Sequence, residues 1–284
     1  METKRVAFEQ LHPVTNLVYF LVIILVFTIS MNPILQGIAY LSAFLYLCDI
    51  RGKGGVRSGL LVCLAAPFPI IINPLFSHEG MTILMYFKNG NPLTLESICF
   101  GMGMALLLIA MLVWFQIVNA TMTTDKWVQL FGMGLPAFGL LLSMVFRLLP
   151  KLDRQRRMIK QCNPLESPYT RLSMLVTWGL EHSVDTADSM AARGYGSRRR
   201  SRFLIYPVKW QDRIFLCLTV LLGGVVAGMI IGGRMCFYYY PLLMLETEGI
   251  LGVMGYAAYG LLCLLPLLFN GKESLKWHYL QSKI

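Results

Sequence analysis

Charged residues are scarce in this sequence. Asp, Glu, Lys and Arg make up 14% of its 284 residues, against about 25% in an ordinary soluble domain. Hydrophobic residues make up 56%, and the mean hydropathy is +0.60. Because so little polar surface is available to meet water, this composition indicates a membrane protein rather than a soluble one.

Motifs for catalysis, metal binding and disulfide formation are also missing. The seven cysteines form no CxxC pair, and most lie inside apolar runs, which predicts small buried hydrophobic side chains. The four histidines are far apart, and no HExxH, GxSxG or phosphate-binding GxxxxGK[ST] sequence occurs. His182 and Asp185 are interpreted as the surface of a polar helix. The sequence therefore predicts no catalytic residue, no metal site, no cofactor and no ATPase site on this chain.

Seven apolar runs have about the length that a membrane-spanning helix needs. They are predicted to be helices because the backbone must satisfy its own hydrogen bonds in lipid. The first run is followed by no small-residue cleavage site, so we expect a retained anchor rather than a signal peptide. The runs cover residues 14–30, 34–50, 56–76, 98–120, 128–149, 214–233 and 250–269.

Basic residues indicate how many of these runs cross the membrane. Arg51, Lys53 and Arg57 place the loop after the second run in the cytoplasm. The loop at 77–97 has one lysine against two glutamates and is expected outside. Residues 150–202 carry eleven basic and five acidic residues. Such a segment is hard to place outside, where it would lie if the fifth run also crossed.

The fifth run is therefore predicted not to cross, and either lies at the cytoplasmic face or dips into the membrane and returns. Gly132, Gly134, Pro136 and Gly139 weaken it as a continuous helix. With six spans and both termini in the cytoplasm, the charge of every loop agrees with the positive-inside rule. Seven spans with one basic loop outside remain the alternative, since the positive-inside rule is statistical.

The sequence thus predicts an all-α membrane protein in three parts. Residues 1–126 form an N-terminal bundle of about four spans, residues 127–202 a cytoplasmic helical region, and residues 203–284 about two C-terminal spans. The cytoplasmic region has two helices with small residues four apart, a spacing that lets helix backbones approach closely. Small residues are also common in membrane helices generally, so both interpretations stay open. The rows are Gly139, Ser143 and Arg147 on the first helix, and Gly179, Ser183 and Ala187 on the second.

The charges of these two helices suggest a second contact. Acidic residues of the second helix are in a position to pair with basic residues of the first, or each set forms a solvated face. The acidic residues are Glu181, Asp185 and Asp188, and the basic ones Lys151, Arg154 and Arg157.

Four regions of the chain, in the same order, resemble the transmembrane T component of energy-coupling factor transporters, the family that includes the cobalt-transport Q protein. The resemblance covers most of the chain. The regions are His12-Pro13-Val-Thr15-Asn-Leu, Pro92-Leu-Thr-Leu-Glu96 with Thr121-Met-Thr-Thr-Asp125, Leu135-Pro136 with Phe146-Arg147-Leu-Leu-Pro150, and Ala187-Asp-Ser-Met190-Ala-Ala192-Arg193-Gly194-Tyr195.

The resemblance implies a coupling subunit that is not itself an enzyme. Members of this family connect two ATP-binding-cassette (ABC) ATPase subunits to a small membrane protein that captures a vitamin or a metal ion, in the bacterial cell membrane. The expected partners are these subunits and the lipid bilayer, without nucleic acid. Two long coupling helices are expected to cross in the cytoplasm, packed through Gly139, Ser143, Arg147, Pro150, Gly179, Ser183 and Ala187.

The resemblance also assigns an ATPase-docking motif to Ala192, Arg193 and Gly194 at the end of the second coupling helix. A guanidinium suits this role because it binds carboxylates through two hydrogen bonds. A glycine after it is able to end the helix in a left-handed conformation. Two other interpretations of Arg193 remain: an arginine favoured by the helix dipole, or a contact to lipid headgroups.

The chain departs from the family pattern at the end of the first coupling helix. After Ile159 it reads Lys160-Gln-Cys-Asn-Pro, without an arginine–glycine pair. Arg157 and Lys160 are the candidates to replace that motif. The alternative function is a secondary transporter without ATPase partners, which would call for inverted repeats and ionisable groups at the membrane midplane.

Overall fold

The structure is a computed structural model that describes residues 7–86, 92–162, 164–196, 207–247 and 249–281. It consists of two compact units. The first, which we call the bundle unit, comprises residues 1–123 and 208–284, and the second, the hairpin unit, comprises residues 124–207. The chain thus leaves the first unit, builds the second and returns.

The described residues are predominantly helical, with helices and strands numbered in chain order. The bundle unit contains α1 (Pro13–Ser30), α2 (Pro33–Arg51), α3 (Lys53–Val62), α4 (Pro67–Phe76), α5 (Leu95–Thr121), α9 (Trp210–Ile231) and α10 (Gly249–Gln281). It also contains two antiparallel strand pairs, β1 (Ile83–Tyr86) with β2 (Pro92–Thr94), and β3 (Met235–Tyr238) with β4 (Met244–Thr247). The hairpin unit contains α6 (Thr124–Gly134), α7 (Pro136–Cys162) and α8 (Pro168–Ala192).

Six helical segments of the described chain are long and apolar enough to cross a membrane, which is the number of spans that the sequence predicted. All six belong to the bundle unit. The run at 128–149 is absent from them because its helix breaks at Leu135, ahead of Pro136. A proline restricts the residue before it to extended conformations, so α6 ends here and α7 begins anew. The six segments are Pro13–Ser30, Pro33–Arg51, Lys53–Phe76, Leu95–Thr121, Trp210–Ile231 and Gly249–Lys272.

The third span is interrupted. Its first half, α3, passes through a short 3-10 turn at Cys63–Ala65, and the second half, α4, starts at Pro67. Pro67 has no backbone N–H to donate, but Ala66 before it keeps right-handed helical angles (φ −59°, ψ −43°), so the backbone stays helical through the junction. The apolar run predicted at 56–76 lies within one candidate membrane span, Lys53–Phe76, which contains this turn.

The bundle unit has two chemically different ends. At one end, Asp212 accepts a hydrogen bond from the His12 backbone N–H (3.0 Å), and Asn270 accepts one from the Phe8 N–H (3.2 Å). At the opposite end, Asn32 donates to the Met235 carbonyl (3.0 Å). The alternation of spans brings Arg51, Lys53, Lys209 and Lys272 to the first end, which we call the basic end, and both strand pairs to the second.

Helix capping explains why the first two spans begin where they do. His12 precedes Pro13, and its Nδ1 accepts a hydrogen bond from the Val14 N–H (3.3 Å). Asn32 precedes Pro33 in the same way and accepts from the Ile34 N–H (3.0 Å). Proline loses nothing at the first helical position, because that N–H has no partner in the helix anyway. The His-Pro segment of the sequence is therefore a helix start.

Aromatic side chains fill the core of the bundle unit near the basic end. Phe8 has edge contacts to Tyr19, Phe20 and Tyr46, with ring centroids 5.4 to 6.0 Å apart. Trp114 is fully buried against Tyr19 and donates its indole N–H to a backbone carbonyl of α2 (3.2 Å). These edge-to-face contacts add to the burial of large side chains and fix α1, α2 and α5 together.

Two features of the described chain differ from expectation. The sequence predicted no strands, yet two short pairs connect spans at the end opposite the basic end. Thr94, the last residue of β2, also caps α5 by accepting from the Ser97 N–H (3.3 Å). The cysteines are less buried than predicted: Cys263 is buried, whereas Cys162 and Cys217 are exposed, because they lie on outward helix faces.

We expect acid to weaken the cap of α1. Burial lowers the pKa of His12 from its ordinary value of 6.5, although the Asp212 carboxylate opposes this. The folded state therefore favours the neutral imidazole ring. As the pH falls below 6.5, unfolding is accompanied by the uptake of a proton, so the stability that the neutral His12 cap contributes at higher pH is lost. The temperature of the unfolding midpoint in detergent should decrease when the pH is lowered from about 7.5 to about 5.5. His12→Asn keeps a capping oxygen but does not titrate, so an unchanged pH response in this variant would contradict the assignment.

Candidate functional site

Helices α7 and α8 form an antiparallel hairpin. At its tip, Ser167 accepts a hydrogen bond from the Thr170 N–H (3.2 Å) and caps α8. Halfway along, an added Cβ on Gly179 would lie 3.9 Å from a methyl group of Leu152. Close to that contact, Lys151 Nζ lies 3.0 Å from His182 Nε2. These contacts hold the two helices side by side.

The second helix of the hairpin has no buried residue. Val176, Leu180 and Val184 form an apolar row at a spacing of four, and 54%, 64% and 59% of their surface is exposed. On α7, Leu141, Val145 and Leu149 form a similar row that is 41–53% exposed. A row of exposed large apolar side chains marks a surface that another molecule covers.

The predicted charge pairing between the helices is wrong. Lys151 contacts His182 rather than an acid, and His182 stacks on Trp178 with ring centroids 5.1 Å apart. The ammonium can only donate, so the His182 Nε2 is the acceptor of this hydrogen bond. Arg157 pairs within its own helix with Asp153, at 2.6 Å. Among the described residues no cation lies within ion-pair distance of Glu181, Asp185 or Asp188, which form a solvated face.

The end of α8 is closed by a glycine in the left-handed conformation, as the sequence predicted. Gly194 has a φ of 76°, and its N–H donates to the Ala191 carbonyl (2.9 Å). The Tyr195 N–H donates to the Met190 carbonyl (3.0 Å). This pair of hydrogen bonds is the Schellman motif, which satisfies the last carbonyls of a helix. Arg193 is the last residue before that turn and is exposed, so its guanidinium is presented to solvent on a fixed backbone.

A basic groove lies at the other end of the hairpin, beside the tip. It has a volume of about 540 Å³. Arg156, Lys160 and Arg171 supply positive charge, and the Arg171 guanidinium is held by the Glu166 carbonyl, 3.0 Å from Nε. The remaining lining residues are apolar: Ile159, Pro168, Leu172 and Leu175.

The lining of this groove distinguishes Lys160 from Arg157, the two residues that could replace the missing docking motif. Lys160 lines it, whereas Arg157 is absent from its lining and is engaged by Asp153. Sequence reasoning missed Arg156 and Arg171, which become neighbours of Lys160 only when the hairpin closes. The spacing of four between Arg156 and Lys160 on one helix was the available signal.

The small residues of the first helix have a different partner from the one expected. An added Cβ on Gly139 would overlap the Cα of Gly132, so Gly139 packs against α6. Gly179 meets Leu152 instead, and the two glycines do not contact each other. The contact between small-residue rows is thus a wrong prediction at these glycines, because antiparallel closure pairs the middle of α7 with the middle of α8.

The other residues assigned to that contact lie on the hairpin surface. Ser143, Arg147, Ser183 and Ala187 are exposed. The Ser183 hydroxyl donates to the Leu180 carbonyl of its own helix (2.7 Å). Pro150 lies inside α7, well after the start of that helix at Pro136. Among the described residues, no three His, Cys, Asp or Glu side chains are grouped so that they could hold a metal ion.

We expect Gly139→Ala to destabilise the packing of α6 on α7. The new methyl group meets backbone rather than a flexible side chain, and such overpacking costs about 1–3 kcal/mol. Gly134→Ala is the matched control, since an added Cβ there has no atom within 4 Å. Thermal unfolding in detergent and proteolysis of the 124–162 region measure the effect. Equal stability of the two variants would show that the close approach is not needed.

Comparison of the chain with models of known protein families and with curated proteins finds no match in either. The functional conclusion therefore rests on the residues and their geometry.

Proposed function

We propose that this chain is the membrane-embedded coupling subunit of an ATP-driven importer of the energy-coupling factor type. The hairpin of α7 and α8 docks two ABC ATPase subunits, and the bundle unit holds a small membrane protein that captures a vitamin or a metal ion. The basic end faces the cytoplasm of a bacterial cell, with both chain termini on that side. The observation that carries this proposal is the exposed Arg193 at the rigid end of a helix without buried residues.

The exposure of the hairpin supports a docking role. A long amphipathic helix gains most of its stability from covering its apolar face. In α8 that face is open along the row Val176, Leu180 and Val184. Partner subunits that cover this row would supply the burial that the chain itself does not. The hairpin is then an element that acts in a complex.

The length of the hairpin suits two contact points. Helix α8 has 25 residues, which at a rise of 1.5 Å per residue gives about 37 Å. Arg193 lies at one end of this helix, and the basic groove with Lys160 lies at the other. One ATPase subunit binds at each end in this proposal, and the two helices contact each other where Gly179 meets Leu152. The missing arginine–glycine pair is replaced by the groove.

Transmission of force follows from this arrangement. When ATP brings the ATPase subunits together, the two docked ends of the hairpin move with them. The Schellman turn after Arg193 keeps that end from unwinding, because both of its hydrogen bonds would have to break first. The motion reaches the membrane-embedded parts of the complex and changes the contact with the substrate-capture subunit. The chain contributes positioning and mechanical coupling, and the ATPase subunits supply the chemistry.

Arg193→Glu should reduce recovery of ATPase subunits when the tagged chain is purified in detergent from its host. Loss of one partner in a buried charge pair costs about 2–5 kcal/mol. Arg154→Glu is the matched control, because Arg154 is an exposed arginine in the middle of α7. Arg193→Lys should give partial loss, since a lysine cannot make the paired contacts of a guanidinium. A wild-type chain that purifies alone and transports a solute in liposomes without ATP would overturn the proposal in favour of a secondary transporter.

Lys160→Gln should weaken binding of an ATPase subunit at the tip, by about 1.5–3 kcal/mol for a charged hydrogen bond. Arg157→Gln should have little effect, because that cation is already engaged by Asp153. Binding of purified ATPase subunits to each variant, together with coupled ATP hydrolysis, is the measurement. A larger loss in Arg157→Gln than in Lys160→Gln would assign the contact to the outer face of α7 instead.

A further inference from the structure

A second groove lies in the bundle unit, between α9 and α10. It has a volume of about 440 Å³, within the range of small-molecule sites. Ile214, Phe215 and Leu218 form one wall, and Leu265, Leu268 and Phe269 form the other. Both helices are candidate membrane spans, so the groove opens toward the hydrocarbon of the bilayer.

The groove is polar at one end only. Gln211, in the first turn of α9, and Lys272, at the end of the last apolar segment, complete its lining. Because the two helices run antiparallel, these residues lie together at the basic end of the bundle unit. The apolar walls extend from there into the span. A cation and an amide above a narrow apolar channel match an amphiphile with a negatively charged head and a hydrocarbon tail.

The charges around the mouth of the groove favour an anion. Lys209 and Arg213 flank Gln211 in sequence and are exposed. The one acid in this turn, Asp212, is 2% exposed and points inward, where its two oxygens accept from the backbone N–H groups of His12 and Lys209. The carboxylate of Asp212 is therefore hydrogen-bonded inside the bundle unit and does not face the mouth of the groove.

Trp210 lies at the same level as the mouth of the groove and is 72% exposed. Such a tryptophan is typical of the membrane–water interface.

We propose that the α9–α10 groove is a binding site for an anionic phospholipid. One acyl chain lies between the walls formed by Leu218 and Leu265, and the phosphate group binds Lys272 and Gln211. The basic end is expected in the cytoplasm, so the lipid belongs to the cytoplasmic leaflet, in which anionic lipids attract basic side chains. The inference uses residues of the bundle unit alone and does not depend on the proposed coupling function.

Lipid retention measured by native mass spectrometry tests this site. The purified full-length chain in detergent is titrated with phosphatidylglycerol or with phosphatidylcholine of the same acyl chains. Wild type should retain phosphatidylglycerol preferentially. Lys272→Gln should weaken that binding about fivefold, the effect of about one basic residue near an anionic lipid. Leu265→Trp, which fills the groove, should weaken binding of the lipid irrespective of its head.

Control experiments distinguish binding in this groove from a general electrostatic attraction of anionic lipid to basic side chains. Arg57→Gln removes an exposed cation elsewhere on the basic side of the bundle and should leave retention unchanged. Soluble glycerol phosphate should compete poorly, because it lacks the acyl chain. Equal retention of both lipids, equal effects of Lys272→Gln and Arg57→Gln, or full competition by glycerol phosphate would each overturn the proposal. Unfolding midpoints of the variants show whether a loss of binding comes from misfolding.

Discussion

The carboxylate of Asp212 is the contact on which the bundle depends. The chain leaves the bundle unit after Thr123 and comes back at Val208, so nothing in the local sequence fixes where the last two spans join the first four. Asp212 contributes a buried contact to this join by accepting from the His12 and Lys209 N–H groups, which ties the start of α9 to the start of α1. A buried carboxylate needs such partners, and two backbone donors stabilise it without another charge.

The two units are stabilised by different means. Large buried aromatic side chains such as Trp114 and Tyr19 fill the core of the bundle unit, and polar side chains satisfy the helix ends on both sides of it. The hairpin has a long helix without buried residues and few cross-contacts, such as Leu152 with Gly179. Regions with few buried contacts open at low free energy. The same property leaves the hairpin surface available for partners, whereas the bundle unit is suited to hold a fixed frame in lipid.

The two proposed binding surfaces use basic residues in different settings. At Arg193 and at the hairpin tip, cations stand on exposed helices outside the predicted spans. At Lys272 a single cation stands above an apolar groove within a span. In the two proposals the first setting binds a carboxylate-bearing protein surface and the second an amphiphile, because the neighbouring apolar area differs in shape and surroundings.

The sequence alone predicted the six spans, the weakening of the helix around Pro136 and the glycine turn after Arg193, and the starts of α1 and α2 at Pro13 and Pro33 have an equally local cause. These features follow from apolar length and from the backbone limits of proline and glycine, which act locally. Tertiary structure decided what the sequence left open or got wrong: the strand pairs, the packing of Gly139 on Gly132, and the grouping of Arg156, Lys160 and Arg171 in one groove. Each of these three features brings together residues from separate segments of the chain. It depends on how the helices pack and in which direction the chain returns, and no local sequence pattern encodes either.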